Sequence, residues 1–355
     1  MKKIVRASFI AILSIVILAG DTFCLSKFIA RKQFQPVFQK GMCYTTWNKT
    51  AYRTGASDKS LEKLKELNVE WVAILTTWYQ DSCFSKKIFP TGTTPSDGSV
   101  KQAIKKAHSL GMKVMLKPHL DLLSTEEGSW RGEIASIRER DWQVWFKSYK
   151  NFMLHYAKMA EETGVEMLCI GTELTAATAT NTDMWREVIN AVRGVYRGDL
   201  IYAANWSEEY LHIRFWDALD YAGIDTYFPL SDKARPTYDE LIEAWKRWIL
   251  EIEEWQKTVN KPVIFTEAGY RSSTKPASSP WEGIPAGEKV DLELQVVCYK
   301  ALVDTFWNKD WFYGAYWWDW GTNVRMGGKF NRGFTPQNKP TQDYIAELYK
   351  RQVKK

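Results

Sequence analysis

Short, nearly unbroken apolar runs alternate along this chain with longer stretches that are apolar on one side only. The runs are Lys40–Thr45, Trp71–Tyr79, Lys113–Leu122, Met167–Leu174, Leu200–Trp206, Tyr221–Phe228, Val263–Tyr270 and Phe312–Trp320. A strand covered on one face alternates apolar with polar residues, whereas one covered on both faces need not, so these runs predict strands of a buried parallel sheet. Between them, Trp142, Trp145, Phe146, Tyr149, Phe152, Met153 and Tyr156 recur at helical spacing. Tyr238, Leu241, Ile242, Trp245, Trp248, Ile249, Ile252 and Trp255 do the same, and each set predicts a helix with one apolar stripe. Leu61, Leu64 and Leu67 mark a shorter helix, with Ser57 and Asp58 placed to cap it; Val100, Ile104 and Ala107 mark another. A last helix is expected near Thr341–Gln352. This alternation of strand and helix predicts a single (β/α)8 barrel, a TIM barrel of the α/β class, over residues 36–352. Two long connections, Gln80–Gly98 and Arg271–Gly287, follow strand ends and should overhang the same face.

Composition fits one such domain. The chain has 355 residues and is 45% hydrophobic, room for a barrel of about 250 residues with loop insertions. Its 18 Trp, 17 Tyr and 16 Phe exceed what core filling asks for. The C–H faces of sugar rings stack on indole, so a cleft for a polysaccharide would use part of the surplus. The net charge of +6 comes from 48 basic and 42 acidic residues interspersed without long runs, which argues against a nucleic-acid partner. The cysteines, Cys24, Cys43, Cys83, Cys169 and Cys298, form no CxxC and no ligand-spaced cluster, so neither a disulfide framework nor a metal site nor any other cofactor is expected. Cys43 and Cys169 lie in apolar runs and read as small buried hydrophobes.

At the start, Lys2, Lys3 and Arg6 precede the apolar stretch Ala7–Gly20, which is short for a spanning helix and suits a signal h-region. Residues 1–30 are therefore expected to be a signal peptide or an uncleaved N-terminal anchor. Leu18-Ala19-Gly20 is a poor cleavage site, and Asp21-Thr22-Phe23 before Cys24 lacks the small residues of a lipoprotein site. The expectation is an exported monomer, secreted, periplasmic or held at the cell envelope, with membrane attachment only through this segment.

Two strands end in glutamate: Cys169-Ile170-Gly171-Thr172-Glu173 and Ile264-Phe265-Thr266-Glu267. A carboxylate at the end of a buried strand loses hydration without a packing gain, so it usually has a task. Glycoside hydrolysis needs a proton for the leaving oxygen and an anion facing the anomeric carbon, and Glu173 is assigned as general acid/base with Glu267 as nucleophile. Glu70 and Glu166 stand at strand starts, on the opposite face, and read as stability residues. Candidate substrate contacts at the strand ends are His119 and Asp121 after the third strand, Asn205 and Trp206 after the fifth, and Tyr227 after the sixth. Tyr227 is placed to donate a hydrogen bond to the nucleophile. Trp47 and Trp78 follow the first two strands, Trp281 stands in the second long loop, and Trp317 is the chosen member of Trp317-Trp318-Asp319-Trp320.

These segments resemble glycoside hydrolase family 113. The likeness rests on Lys40-Gly41-Met42, Lys117-Pro118-His119-Leu120-Asp121, Ile170-Gly171-Thr172-Glu173-Leu174, Phe265-Thr266-Glu267-Ala268-Gly269-Tyr270, Tyr316-Trp317-Trp318-Asp319-Trp320 and Phe334-Thr335-Pro336-Gln337-Asn338-Lys339-Pro340. It runs from about Phe38 to Tyr349. The resemblance implies a β-1,4-mannanase on a (β/α)8 barrel with a retaining mechanism, Glu173 matching the family's acid/base and Glu267 its nucleophile. The wider clan usually carries Asn directly before the acid/base, where this chain has Thr172. The resulting expectation is a retaining endo-β-1,4-mannanase acting on mannan or glucomannan. The alternatives are a clan relative acting on glucan, xylan or a terminal β-mannoside, and a carbohydrate-binding barrel without turnover.

Overall fold

The computed structural model describes residues 34–353 apart from 125–128, 137 and 285. The segment read as signal or anchor lies outside the described residues. Strands β1 (Gln39–Thr45), β2 (Trp71–Gln80), β3 (Lys113–Leu122), β4 (Met167–Thr172), β5 (Asp199–Asn205), β6 (Ala222–Thr226), β7 (Val263–Ala268) and β8 (Phe312–Gly321) pair in parallel with their sequence neighbours, and β8 pairs with β1 to close the barrel. All eight strands match the apolar runs. Helices α1 (Gly55–Glu66), α2 (Asp97–Ser109), α3 (Glu139–Thr163), α4 (Thr175–Thr180), α5 (Thr182–Arg193), α6 (Glu209–His212), α7 (Tyr238–Val259), α8 (Leu292–Phe306) and α9 (Pro340–Lys350) alternate with them.

The hydrophobic core is the layer between strands and helices. Val72, Ile74, Val114, Leu116, Leu168 and Ile170 point outward into it and meet the stripes of α2 and α3. Most tryptophans belong here: Trp145, Trp185 and Trp245 are among the largest fully buried side chains. Trp185 lies edge-on to Phe146 and Tyr149 and stacks on Phe215 at 5.3 Å, joining α3, α5 and the turn after α6. The barrel interior differs. Beside apolar side chains such as Leu75, Met115 and Met167 it holds small or polar groups, among them Cys43, Ala73, Lys117, Cys169, Asp225 and Thr266, all wholly buried.

At the start of the barrel, Glu166 accepts the Val114 N–H at 2.9 Å and faces His108 Nε2 at 3.1 Å, while Glu70 pairs with Lys40 at 3.1 Å. These glutamates tie strand starts together, away from the strand ends that carry the candidate chemistry. The cap of α1 differs from expectation. Thr54 is its N-cap and accepts the Ser57 N–H at 3.2 Å. Ser57 is turned inward to the Tyr44 hydroxyl at 2.7 Å, and Asp58 lies within the first turn.

Candidate active site

Period-two alternation aims Lys117, His119 and Asp121 of β3 at the interior and the mouth above it. The Lys117 ammonium donates to Glu267 Oε1 at 2.5 Å and to Asp225 Oδ1 at 3.3 Å, and all three side chains are buried. A register shift in β7 lies between Phe265 and Glu267 against β6. Such an irregularity re-aims side chains. Here it turns Thr266 and Glu267 the same way: the Thr266 hydroxyl donates to Asp225 Oδ1 at 2.7 Å, and Glu267 reaches the same cluster. Tyr227, just past β6, donates its hydroxyl to Glu267 Oε2 at 2.8 Å. Each oxygen of Glu267 thus has its own donor, one from β3 and one from the segment just past β6.

Glu173 follows β4 with a φ of 51°, a left-handed conformation that costs a non-glycine residue about 1 kcal/mol or more. Neighbouring contacts hold it there. The Glu173 N–H donates to the Ala203 carbonyl at 2.8 Å, and the Leu174 N–H donates to the Tyr202 hydroxyl at 2.8 Å. Asn205 Nδ2 donates to Glu173 Oε1 at 2.8 Å, and Arg131 donates to Glu173 Oε2 at 3.3 Å and to Asp121 Oδ2 at 3.2 Å. Burial pushes the Glu173 carboxyl above its ordinary range; Arg131 opposes this, and the nearby charge of Glu267 reinforces it. Burial likewise holds His119 well below the usual imidazole range, helped by Arg131 and Lys117, so its ring is neutral. His119 Nε2 stands 3.6 Å from Glu267 Oε1.

A cleft of about 490 Å³ opens onto Glu173, lined by Trp130, Asn205, Trp206, Ser207 and Trp281. Trp206 and Trp281 stack on each other at 4.8 Å and 24°. On the other side of the mouth, Trp318 lies parallel to His119 at 6.3 Å, and the half-exposed Trp47 stands edge-on to Trp318 at 6.5 Å.

The structure therefore gathers Glu173, Glu267, His119, Asp121, Asn205, Trp206, Tyr227, Trp281 and Trp47 around one mouth. Trp78 and Trp317 do not join them. Trp78 packs on Phe152, His155 and Tyr156 of α3, because its phase along β2 is that of the outward residues Ile74 and Thr76. Trp317 is buried against Tyr299 and Trp307 in the helix layer, and its neighbour Trp318 takes the inward position. Lys117, Arg131, Trp130 and Trp318 escaped the sequence reading. Lys117 had a signal, since it shares its face with His119 and Asp121 and is a charge within an apolar run. Trp130 and Arg131 lie in the connection between β3 and α3, where no periodicity marks direction.

Residues 42–339 match the family model described as Glycoside Hydrolase Family 113. Among solved structures, the fold resembles the family 113 β-mannanase from Alicyclobacillus acidocaldarius, with 28% identity over 90% of this chain and 99% of that one and a TM-score of 0.79. A second structure of a family 113 β-1,4-mannanase agrees equally well, at 28% identity over 89% of this chain and 100% of that one, again with a TM-score of 0.79. A β-glucuronidase from Ruminococcus gnavus shares the fold at 13% identity, with a TM-score of 0.60 over 90% of this chain and 51% of that one. No curated protein sequence matches.

Proposed function

Because the chain belongs to glycoside hydrolase family 113 and is thus a glycoside hydrolase, we propose that it is a retaining endo-β-1,4-mannanase cutting mannan or glucomannan. The observation that carries the reading is the meeting of the two strand-end glutamates at one buried mouth in opposite settings. Glu173 is pushed by burial toward its protonated form, as a general acid requires. Glu267 has Lys117 and Tyr227 donating to its two oxygens, which favours the anion that a nucleophile requires.

In the first step a Glu267 oxygen bonds to the anomeric carbon while the bond from that carbon to the glycosidic oxygen breaks, and the Glu173 proton passes to the departing oxygen. In the second, water gives its proton to Glu173 and its hydroxyl to the anomeric carbon, and the ester to Glu267 breaks. Asn205 and Arg131 fix the direction of the Glu173 carboxyl, and the Trp206–Trp281 pair beside it offers an apolar wall to the leaving-group sugars. The β-mannanase names of the family 113 structures support the choice of mannan. The charged and apolar start of the chain, Lys2 to Gly20, supports export.

The test is hydrolysis of mannan, glucomannan, cellulose and xylan by the wild type and by Glu173→Gln and Glu267→Gln. Mannan and glucomannan should be preferred, mannohexaose should be cut internally, and each variant should lose about a thousandfold or more in kcat. Near-wild-type rates in both variants would overturn the assignment.

A further inference from the structure

Lys117 is the one described cation in hydrogen-bond contact with Glu267, and it is wholly enclosed inside the barrel. Burying an ammonium is costly unless carboxylates face it. The cost makes sense only if the charge does something for its partners. Two carboxylates meet this ammonium, Glu267 at 2.5 Å and Asp225 at 3.3 Å, and the Thr266 carbonyl lies at 3.5 Å. Asp225 is tethered in turn by the Thr266 hydroxyl, from the residue next to Glu267. The Lys117 side chain has no exposed surface of its own, whereas Glu267 keeps a sliver of exposure. A substrate at the mouth therefore meets Glu267 and not Lys117.

We propose that Lys117 is a positioning residue for the nucleophile: from inside the barrel it fixes one oxygen of Glu267 and stabilises the anion that attacks the sugar, with Asp225 as its second carboxylate contact. The inference rests on Glu267 being the nucleophile. It also explains why a second carboxylate is present. Burial and the charge of Glu267 push the Asp225 carboxyl well above its ordinary range; when Glu267 becomes an ester that charge disappears, and Asp225 is then the carboxylate left to hold the ammonium. Without Asp225 the covalent intermediate would leave a buried ammonium unpaired.

The other groups facing Glu267 do not supply this cation. His119 on β3 is neutral, and Tyr227 past β6 donates a proton from a neutral hydroxyl. Cys43 on β1, Asp319 on β8 and Glu173 after β4 are acids that feel the charge of Glu267. Arg131 feels it too, but its guanidinium is engaged by Glu173 and Asp121.

The test uses the full chain as wild type, Lys117→Met, Lys117→Arg, and the double variant Lys117→Met/Asp225→Asn, which preserves the formal buried charge. Kinetics on an aryl β-mannobioside are followed across pH, and the intermediate is trapped with 2-deoxy-2-fluoro-β-mannosyl fluoride and located by peptide mass spectrometry. Lys117→Met should lower kcat by about a hundredfold with KM within about threefold, as for the loss of one preorganised electrostatic contact. Loss of the cation destabilises the carboxylate, so the acidic limb of the rate profile should move to higher pH by about one unit. Lys117→Arg should restore about tenfold of the rate, since a cation is back in the cavity. The double variant should melt like the wild type and remain slow, and it decides the matter if Lys117→Met fails to fold. An acidic limb that stays in place in a folded variant, or a raised KM with unchanged kcat, overturns the inference while a label on Glu267 upholds the mechanism. A label on any other residue of the wild type overturns the mechanism, and the inference with it.

Discussion

Glu209 is buried at the start of α6, and three hydrogen bonds weave it into the surroundings of the site. Its Oε1 accepts the Tyr202 hydroxyl at 2.7 Å and the Thr178 hydroxyl at 2.9 Å, and its Oε2 accepts the Asn205 N–H at 2.6 Å. Burial pushes its carboxyl up to about 7 against the pull of those three donors. A carboxyl whose folded value lies above its unfolded one binds its proton more tightly when folded. Its contribution to stability is therefore fully present below the ordinary glutamate range and is lost as pH rises through about 7. Glu209→Gln is expected to flatten the decline in stability between the ordinary glutamate value of about 4.3 and neutrality, measured by denaturant titration at a series of pH values. A decline of unchanged slope would refute this. Glu209 also shows what a sequence hides at this scale. Glu173 and Glu267 were legible because each ends an apolar run, and Tyr227 because it ends another. Glu209 and Arg131 sit in connections, where partners come from distant segments and no spacing announces them.

At the scale of elements, the turn after β4 decides where Glu173 points. Gly171 is part of that device. A Cβ placed on it would stand 2.6 Å from Tyr202 Cε2 and 2.9 Å from the Tyr149 hydroxyl. Tyr202 receives the Leu174 N–H and donates to Glu209, so moving its ring disturbs both supports of the turn. Gly171→Ala should lower stability by about 1–3 kcal/mol, the usual result of overpacking a tight site. It should also lower kcat by more than it raises KM; a variant as active as the wild type would show that the turn tolerates the shift. The strands themselves were readable from end to end, because a strand enclosed on both faces writes its burial into every residue. The helix α5 was passed over although Trp185, Val188, Ile189 and Val192 form a stripe, since the segment is short and follows another short helix. The facing of single strand residues was harder. Trp78 and Trp317 were assigned to the mouth by their place at strand ends, whereas phase along the strand sends them to the helices.

For the whole molecule, the barrel is fixed by local patterns repeated eight times, and the cleft is fixed by loops that meet only after folding. Trp130 comes from the connection after β3, Trp206 from the one after β5 and Trp281 from the one after β7, and they line one cleft beside Glu173. Trp281→Ala should leave the melting temperature nearly unchanged, because the ring is 46% exposed. Its effect should fall on long substrates, raising KM for mannohexaose by about tenfold, the loss of roughly 1.4 kcal/mol of stacking. Hydrolysis of an aryl mannobioside, whose leaving group is small, should change little. Equal losses on both substrates would place Trp281 in the support of Glu173 instead.

The aromatic layer between strands and helices has a spectroscopic consequence. With Trp145, Trp185 and Trp245 sealed in that layer, the emission of the native protein will be dominated by indoles that no carbohydrate can touch. Saturation with oligosaccharide will then quench only a minor, red-shifted part of the signal, from Trp47, Trp281 and their neighbours. Excitation at the red edge, which favours hydrated indoles, becomes the sensitive way to titrate the cleft, and the blue-shifted remainder serves as an internal reference for unfolding.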